Sequence, residues 1–352
     1  MCASRSQDAR VARIDEEIGR RAHRVPAGRD AAGRGLTTIS ESAKRATGSA
    51  GAEVTRSFVE LAKRRVSYLT VGDPGGEPTL LLIHGSGVSA RYWINQLQGL
   101  GGALRVVAVD LPGHGESDPM PHVSVEEYGG VVAKFIDALG LGSVIAVGHS
   151  LGGAIALALA SQRSGRVRGL VLLASCVKLP EVDGWGERFL AFLPGPLRKL
   201  LFFAMAKKLL FAPGAPGDAV AVGMRELRAC RPETILKDVH AARAMDLTGP
   251  ATRLAVPTLI LVGSQDRLTT PALAQHLSGL ISGSRLRIQE GAGHMLLLEV
   301  PEWVNREVLD FVGSLTALGE VPSSPAVDGQ RKRSLVPRFL DWFRRTARWL
   351  RL

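Results

Sequence analysis

The sequence predicts an α/β fold built on a mostly parallel, doubly wound sheet. Three observations lead to this prediction: short apolar runs recur along the chain, amphipathic stretches separate them, and glycine-rich turns join the two. Most of the runs are continuously apolar, which is typical of parallel strands that are covered on both faces. Regular alternation of such strands with helices favours a doubly wound sheet.

Six segments have the pattern of core strands, and four have the spacing of helices that pack on a sheet. The predicted strands are 79–84, 104–110, 144–149, 170–174, 258–262 and 286–289. The predicted helices are 125–139, 151–162, 271–280 and 301–315, and two of them begin at a proline.

The charge of the chain is concentrated at its two ends. The 352 residues carry a formal net charge of +11, of which residues 1–52 contribute +4 and residues 321–352 contribute +6. A basic protein is often a nucleic-acid binder, but the near-neutral middle argues against a basic groove on the folded domain. We therefore expect no nucleic-acid partner.

The composition divides the chain into four regions. Residues 1–52 are poor in aromatic side chains and predict a disordered basic extension. Residues 53–175 and 251–317 carry the strand and helix pattern of the core. Residues 176–250 hold several helical segments and no convincing strand, and because they are too long for a plain connection, we predict an inserted helical cap. Residues 318–352 are predicted to form a linker followed by a basic amphipathic helix.

The strongest local signal is the sequence Gly-His-Ser-Leu-Gly-Gly at positions 148–153, which lies between a predicted strand and a predicted helix. This context is the one that a G-x-S-x-G nucleophile turn requires. Ser150 is the candidate nucleophile. The backbone N–H of Leu151, at the start of the helix, is a candidate donor to the oxyanion of an acyl-transfer reaction.

Candidates for the base and its orienting acid follow in the expected order. Asp266 comes just after one predicted strand, and His294 lies on a glycine-containing loop after the next. A serine hydroxyl needs a histidine base, and the histidine needs an acid to orient it. Two alternatives stay open: Asp266 could cap the helix that begins nearby, and His294 could be a buried structural histidine.

A second oxyanion donor is expected from a loop after an early strand. The sequence His-Gly-Ser-Gly at positions 84–87 supplies this context, and the N–H of Ser86 is the candidate donor. We interpret His84 as a residue that shapes the loop.

Taken together, these motifs make the sequence resemble the α/β-hydrolase superfamily. The resemblance rests on positions 84–87, on Asp-Leu-Pro-Gly-His-Gly-Glu-Ser at 110–117, on positions 148–153, and on Asp266 and His294. It covers about residues 54–316. It implies an α/β-hydrolase fold with an inserted cap, and the serine nucleophile fits the esterase and lipase-like branch. In this superfamily the 110–117 segment is a structural turn, so we assign it no catalytic role.

The resemblance implies hydrolysis of a carboxylic ester through an acyl-enzyme intermediate, with no metal or organic cofactor. The apolar composition of the cap favours a lipophilic ester. Two alternatives stay open. The same triad could hydrolyse a carbon–carbon bond in a diketone or carry out perhydrolysis, or the chain could be a non-catalytic ligand-binding member of the fold.

The C-terminal residues carry an independent signal about location. A basic helix with aromatic and leucine residues opposite arginine is typical of a helix that lies in a membrane interface. The alternatives are that this helix docks on its own domain or that it binds a partner protein. Its apolar face consists of Leu335, Phe339, Trp342, Phe343, Trp349 and Leu350.

The three cysteines predict reduced thiols and a cytoplasmic protein, which could be peripheral at the inner face of a membrane.

Overall fold

The described part of the molecule is organised around one mixed β-sheet. The computed structural model describes residues 23–24, 39–41, 53–73, 78–180 and 195–317. The strands of these residues are β1 (His23–Arg24), β2 (Ile39–Glu41), β3 (Thr55–Leu61), β4 (Arg64–Val71), β5 (Thr79–Ile83), β6 (Arg105–Val109), β7 (Val144–His149), β8 (Val167–Leu173), β9 (Thr258–Gly263) and β10 (Arg285–Gln289). They join in the order β1-β2-β3-β4-β6-β5-β7-β8-β9-β10.

Strands β5 to β10 form the parallel part of the sheet, and they coincide with the six predicted strands. The apolar runs are covered on both faces, as their sequence predicts; the four residues of β5 from Leu80 to Ile83 are fully buried. Strand β5 lies between β6 and β7, so the chain reverses direction across the sheet at this point. Such a reversal in a parallel sheet opens a crevice at the carboxyl ends of the strands.

Strands β3 and β4 form an antiparallel hairpin that the sequence analysis did not predict. Its two-residue turn consists of Ala62 and Lys63, which have φ values of 50° and 65°. A turn with both central residues in the left-handed region normally contains glycine or asparagine, and the absence of either residue explains why the hairpin gave no turn signal. Strand β2, which pairs with β3, also falls within the extension that we predicted to be disordered.

Helices cover both faces of the sheet. The helices of the core are α1 (Ile94–Leu100), α2 (Val125–Ala138), α3 (Leu151–Gln162), α7 (Thr248–Thr252), α8 (Pro271–Leu280), α9 (Leu296–Glu299) and α10 (Pro301–Ala317). One face is packed by α2, α3 and α8, and the other by α1, α9 and α10, so that the strands lie between two hydrophobic clusters. The four helices predicted for the core are found with nearly the predicted bounds.

Three further helices lie in the segment that was predicted to form a cap. They are α4 (Gly195–Leu210), α5 (Gly217–Ala229) and α6 (Pro232–Ala244). Residues 181–194 of the predicted cap lie outside the described residues, as does the predicted C-terminal helix. Among the described residues, none of the helices combines the length and the apolar character that a membrane span requires.

Candidate active site

Ser150 lies in a tight turn between strand β7 and helix α3. Its φ of 53° and ψ of −120° place a non-glycine residue in a strained backbone conformation. Two glycines make this turn sterically possible. A Cβ atom on Gly148 would overlap the backbone of Gly152, and a Cβ atom on Gly152 would overlap the carbonyl oxygen of Ile83. The turn therefore holds Ser150 at the carboxyl end of β7.

Hydrogen bonds fix this turn to its surroundings. The N–H of Ser150 donates to the carbonyl oxygen of Leu173 at 2.9 Å, and the Ser175 hydroxyl donates to the carbonyl oxygen of Ser150 at 2.9 Å. Leu151 is the first residue of α3, so its N–H has no acceptor within the helix. The positive end of the helix dipole and this N–H favour a negative charge next to Ser150.

The loop after β5 lies directly against the serine turn. Strands β5 and β7 pair in parallel with Ile83 opposite Gly148, so the residues that follow leave the sheet side by side. A Cβ atom on Gly85 would lie 3.1 Å from the Cβ atom of Ser150. The structure thus brings the loop that carries Ser86 into contact with the turn that carries Leu151.

Asp266 and His294 are joined by a hydrogen bond. The Oδ2 atom of Asp266 lies 2.9 Å from Nδ1 of His294. Three other groups donate to the same carboxylate: the N–H groups of Leu268 and Thr269, at 2.8 and 2.9 Å from Oδ1, and the Thr269 hydroxyl, at 2.8 Å from Oδ2. Burial by itself would raise the pKa of Asp266, but the His294 ring and these donors outweigh it and lower the pKa. The carboxylate is therefore charged at neutral pH.

His149 connects the serine turn to the histidine loop, a role that the sequence analysis missed. Its Nε2 donates to the carbonyl oxygen of His294 at 3.0 Å, and the two rings lie 4.9 Å apart, centroid to centroid. Burial, together with the nearby His294, lowers the pKa of His149 to about 3. Its ring is therefore neutral at pH 7, so Nδ1 is unprotonated. The sequence feature that could have indicated this role is the position of His149 directly before Ser150 in the motif at 148–153.

Glu299 is a second residue that the sequence analysis missed. This carboxylate is 6% exposed and accepts hydrogen bonds from the N–H of Gly293 at 3.0 Å and from the N–H of Ala212 at 3.2 Å. It therefore ties the His294 loop to the segment after helix α4. Burial raises the pKa of Glu299. The sequence feature that could have indicated this role is an acidic residue directly after the apolar run 295–298.

The 110–117 segment contains a buried charge cluster. Asp110 is fully buried and pairs with the guanidinium group of Arg56 at 2.9 Å. It also bonds to the Ser67 hydroxyl and accepts from the N–H of Ala90 at 2.7 Å. These contacts join the hairpin, the loop after β5 and the loop after β6. The carboxylate is thus occupied by structural contacts.

Comparison with known proteins agrees with this architecture. A family model described as the alpha/beta hydrolase family matches residues 80–307, which is well over half of the chain. The chain belongs to the alpha/beta hydrolase family. The predicted fold class is thereby confirmed.

Similar proteins include several esterases. A pimeloyl-(acyl-carrier protein) methyl ester esterase of Neisseria meningitidis serogroup C is 29% identical over 247 residues, covering 68% of this chain and 95% of the relative. The structure of a thermophilic esterase has a TM-score of 0.64 and 28% identity, covering 74% of this chain and 98% of the other. A membrane phospholipase A described as a bacterial virulence factor has a TM-score of 0.65 and 25% identity, covering 75% and 87%. These relatives support a hydrolase that acts on esters in general.

Proposed function

We propose that this hydrolase cleaves a lipophilic carboxylic ester with Ser150 as nucleophile, His294 as base and Asp266 as the orienting acid. The observation that carries the proposal is the buried 2.9 Å hydrogen bond between Asp266 and His294, on a loop that His149 ties to the strained serine turn. A carboxylate on Nδ1 keeps the proton there, so Nε2 has a free lone pair that can accept the serine proton.

The reaction proceeds in two steps. His294 takes the hydroxyl proton as the oxygen of Ser150 attacks the ester carbonyl, and the same proton is then given to the departing alcohol. A water molecule attacks the acyl-enzyme while His294 takes one of its protons. The serine leaves with that proton, and the carboxylic acid is released.

The oxyanion that forms in both steps is bound by the N–H groups of Ser86 and Leu151. Two features support this assignment: the contact of Gly85 with Ser150 and the position of Leu151 at the positive end of α3. Fixed N–H donors at a developing negative charge usually make the largest single contribution to such catalysis.

A groove beside the histidine loop supports a lipophilic substrate. Its volume is about 550 Å³, its walls include Phe211 and Val220, and its rim carries Lys207, Lys208 and Arg267. The groove reaches Ala212, which shares the Glu299 carboxylate with the His294 loop. Apolar walls suit an acyl chain, and the basic rim suits an anionic end group. The relatives named for a pimeloyl ester and for phospholipids agree with such a substrate.

The proposal is tested by steady-state hydrolysis of p-nitrophenyl esters of graded acyl length. We expect kcat/KM to rise from acetate to medium or long chains, and we expect the Ser150→Ala variant to lose at least about 10⁴-fold in kcat. Ser161→Ala is the matched control, because among the described residues that hydroxyl bonds only to the carbonyl oxygen of Ala158 on helix α3. Turnover by Ser150→Ala at the wild-type rate would reject the nucleophile. A kcat/KM that does not change with chain length would reject the lipophilic substrate.

We also propose peripheral association with the inner face of a membrane through residues 331–352. Support comes from the sequence alone, in which aromatic residues and leucines alternate with arginines at helical spacing. The test is flotation with anionic liposomes of the full chain and of a chain that ends at residue 330. The full chain is expected to float and the shortened one to remain at the bottom. Equal flotation would reject the proposal.

A further inference from the structure

Helix α6 carries a carboxylate that the proposed mechanism does not use. Asp238 is fully buried, although it belongs to a helix of the predicted cap. Its Oδ2 lies 2.9 Å from Nε2 of His114, and its Oδ1 accepts from the Tyr128 hydroxyl at 2.7 Å. Burial by itself would raise the pKa of Asp238, but hydrogen bonding to the side chains of His114, Tyr128 and Ser86 lowers it. A residue of the predicted cap thus interacts with the loop of the proposed oxyanion donor.

The ring of His114 joins Asp238 to the segment 110–117. Nε2 of His114 faces the Asp238 carboxylate, and Nδ1 faces the carbonyl oxygen of Pro112 at 3.3 Å. Helix α6 is therefore connected to the loop after β6 through this ring.

The next ring in the cluster reaches the oxyanion loop from the other direction. His84 lies 4.8 Å from His114, centroid to centroid. Its Nε2 accepts from the N–H of Leu111 at 3.0 Å, and its Nδ1 donates to the carbonyl oxygen of Gly85 at 2.8 Å. The peptide that joins Gly85 to Ser86 is therefore held at its carbonyl oxygen, while the Ser86 side chain is held by Asp238.

The cap also closes over the following residue of the loop. A Cβ atom on Gly87 would lie only 2.7 Å from Cδ1 of Leu227 on helix α5 and 3.8 Å from Ile235 on helix α6. The loop thus has no room to move toward the cap. The peptide N–H of Ser86 lies in the same plane as the Gly85 carbonyl. The contact of that carbonyl with His84 and the packing of the loop against the predicted cap therefore together fix the direction of the Ser86 N–H.

We propose that Asp238 is a positioning residue, which reaches from the cap to the Ser86 side chain and holds the Ser86 N–H toward the oxyanion. This inference rests on the proposed function. An oxyanion donor acts only when it lies about 2.7–3.1 Å from the oxygen that becomes charged. A loop that loses its anchor spends less time in that geometry. Since the interaction exists only in the transition state, its loss lowers kcat and leaves KM almost unchanged.

The test compares Asp238→Asn, Ser86→Ala and the double variant with the wild-type full chain. Removing a whole donor costs about 10²–10³-fold in kcat, so we expect weakening one to cost about 10–100-fold, with KM changed by less than about twofold. Affinity for a trifluoromethyl ketone, whose adduct with Ser150 carries an oxyanion, should fall by a similar factor. Because Asp238 acts through the Ser86 hydroxyl, the double variant should be no slower than the slower single variant.

Lys237→Met is the matched control. Lys237 lies on the same helix and joins it to the core by donating at 2.8 Å to the carbonyl oxygen of Met120, which lies outside the oxyanion loop. This variant should keep wild-type kcat and inhibitor affinity. Ser86→Ala removes only one hydroxyl, so it provides the answer even if Asp238→Asn does not fold, which thermal denaturation would reveal.

Three results would overturn the inference: wild-type kcat in Ser86→Ala, additive losses in the double variant, or an equal loss of kcat in Lys237→Met. An inactive wild-type enzyme that also fails to bind the ketone would reject the proposed function and the inference with it. An active wild-type enzyme with unaffected variants would reject the inference alone.

Discussion

Replacing Asp266 with asparagine should remove most of the activity while leaving the fold intact. The orientation of the new amide can be worked out from its surroundings. The N–H groups of Leu268 and Thr269 both donate to Oδ1, so the amide oxygen must occupy this position. The NH₂ group then takes the place of Oδ2, which lies 2.9 Å from Nδ1 of His294.

This orientation reverses the tautomer of His294, the proposed base. The amide NH₂ donates to Nδ1, which must then be unprotonated, so the proton moves to Nε2. A protonated Nε2 cannot accept the proton of Ser150. In a serine protease triad the same exchange lowers kcat about 10⁴-fold. We therefore expect a loss of about 10³–10⁴-fold here, or about 4–5.5 kcal/mol in the activation free energy.

The assay measures kcat and KM for the hydrolysis of a p-nitrophenyl ester. KM should change little, because the histidine tautomer affects only the chemical steps. Asp246→Asn is the matched control: this carboxylate is exposed and pairs with Lys178 at 3.1 Å, and its loss should leave kcat unchanged. An Asp266→Asn enzyme that keeps more than about a tenth of the wild-type kcat would refute the assigned role of Asp266.

Three further predictions concern stability. Burial lowers the pKa of His149 to about 3 and of His84 to about 4, so below pH 6.5 the unfolded chain takes up protons first. The contribution of these two neutral rings to the free energy of unfolding is complete above that pH. It is lost as the pH falls, by about 2 kcal/mol for each ring at pH 5. Urea unfolding of His149→Phe should show about half of the wild-type dependence between pH 8 and 5; equal dependence would contradict this. Gly152→Ala should yield misfolded or inactive protein, because its Cβ would overlap backbone, and a normal melting temperature with full activity would count against the turn geometry. Arg56→Met should cost about 3–5 kcal/mol in urea unfolding, because it leaves Asp110 buried without its cation; a loss below about 1 kcal/mol would disagree.

The sequence predicted those parts of the fold that depend on local pattern. The parallel strands and their helices were identified because each apolar run or helical spacing is contained in one short segment. The β3–β4 hairpin was not identified, because its turn at Ala62 and Lys63 uses residues that rarely adopt left-handed conformations. The short strand β2 depends on pairing with β3, and nothing in its own three residues predicts a strand.

The same distinction applies to the candidate site. Ser150, Asp266 and His294 could be proposed because each follows a recognisable strand. Asp238 could not, because its position depends on how helix α6 packs on a loop more than a hundred residues earlier in the chain. The link from His149 to the carbonyl oxygen of His294 likewise appears only when the two loops are folded together.

The central claim, that Ser150 is the nucleophile of an esterase, is tested most directly by its chemical labelling. The full chain is treated with a fluorophosphonate probe, digested, and examined by mass spectrometry for the modified peptide. We predict one label per chain, located on Ser150, with complete loss of ester hydrolysis, labelling at the wild-type rate in Ser161→Ala and none in Ser150→Ala. An unlabelled wild-type protein, or a label on another residue that abolishes the activity, would contradict the account.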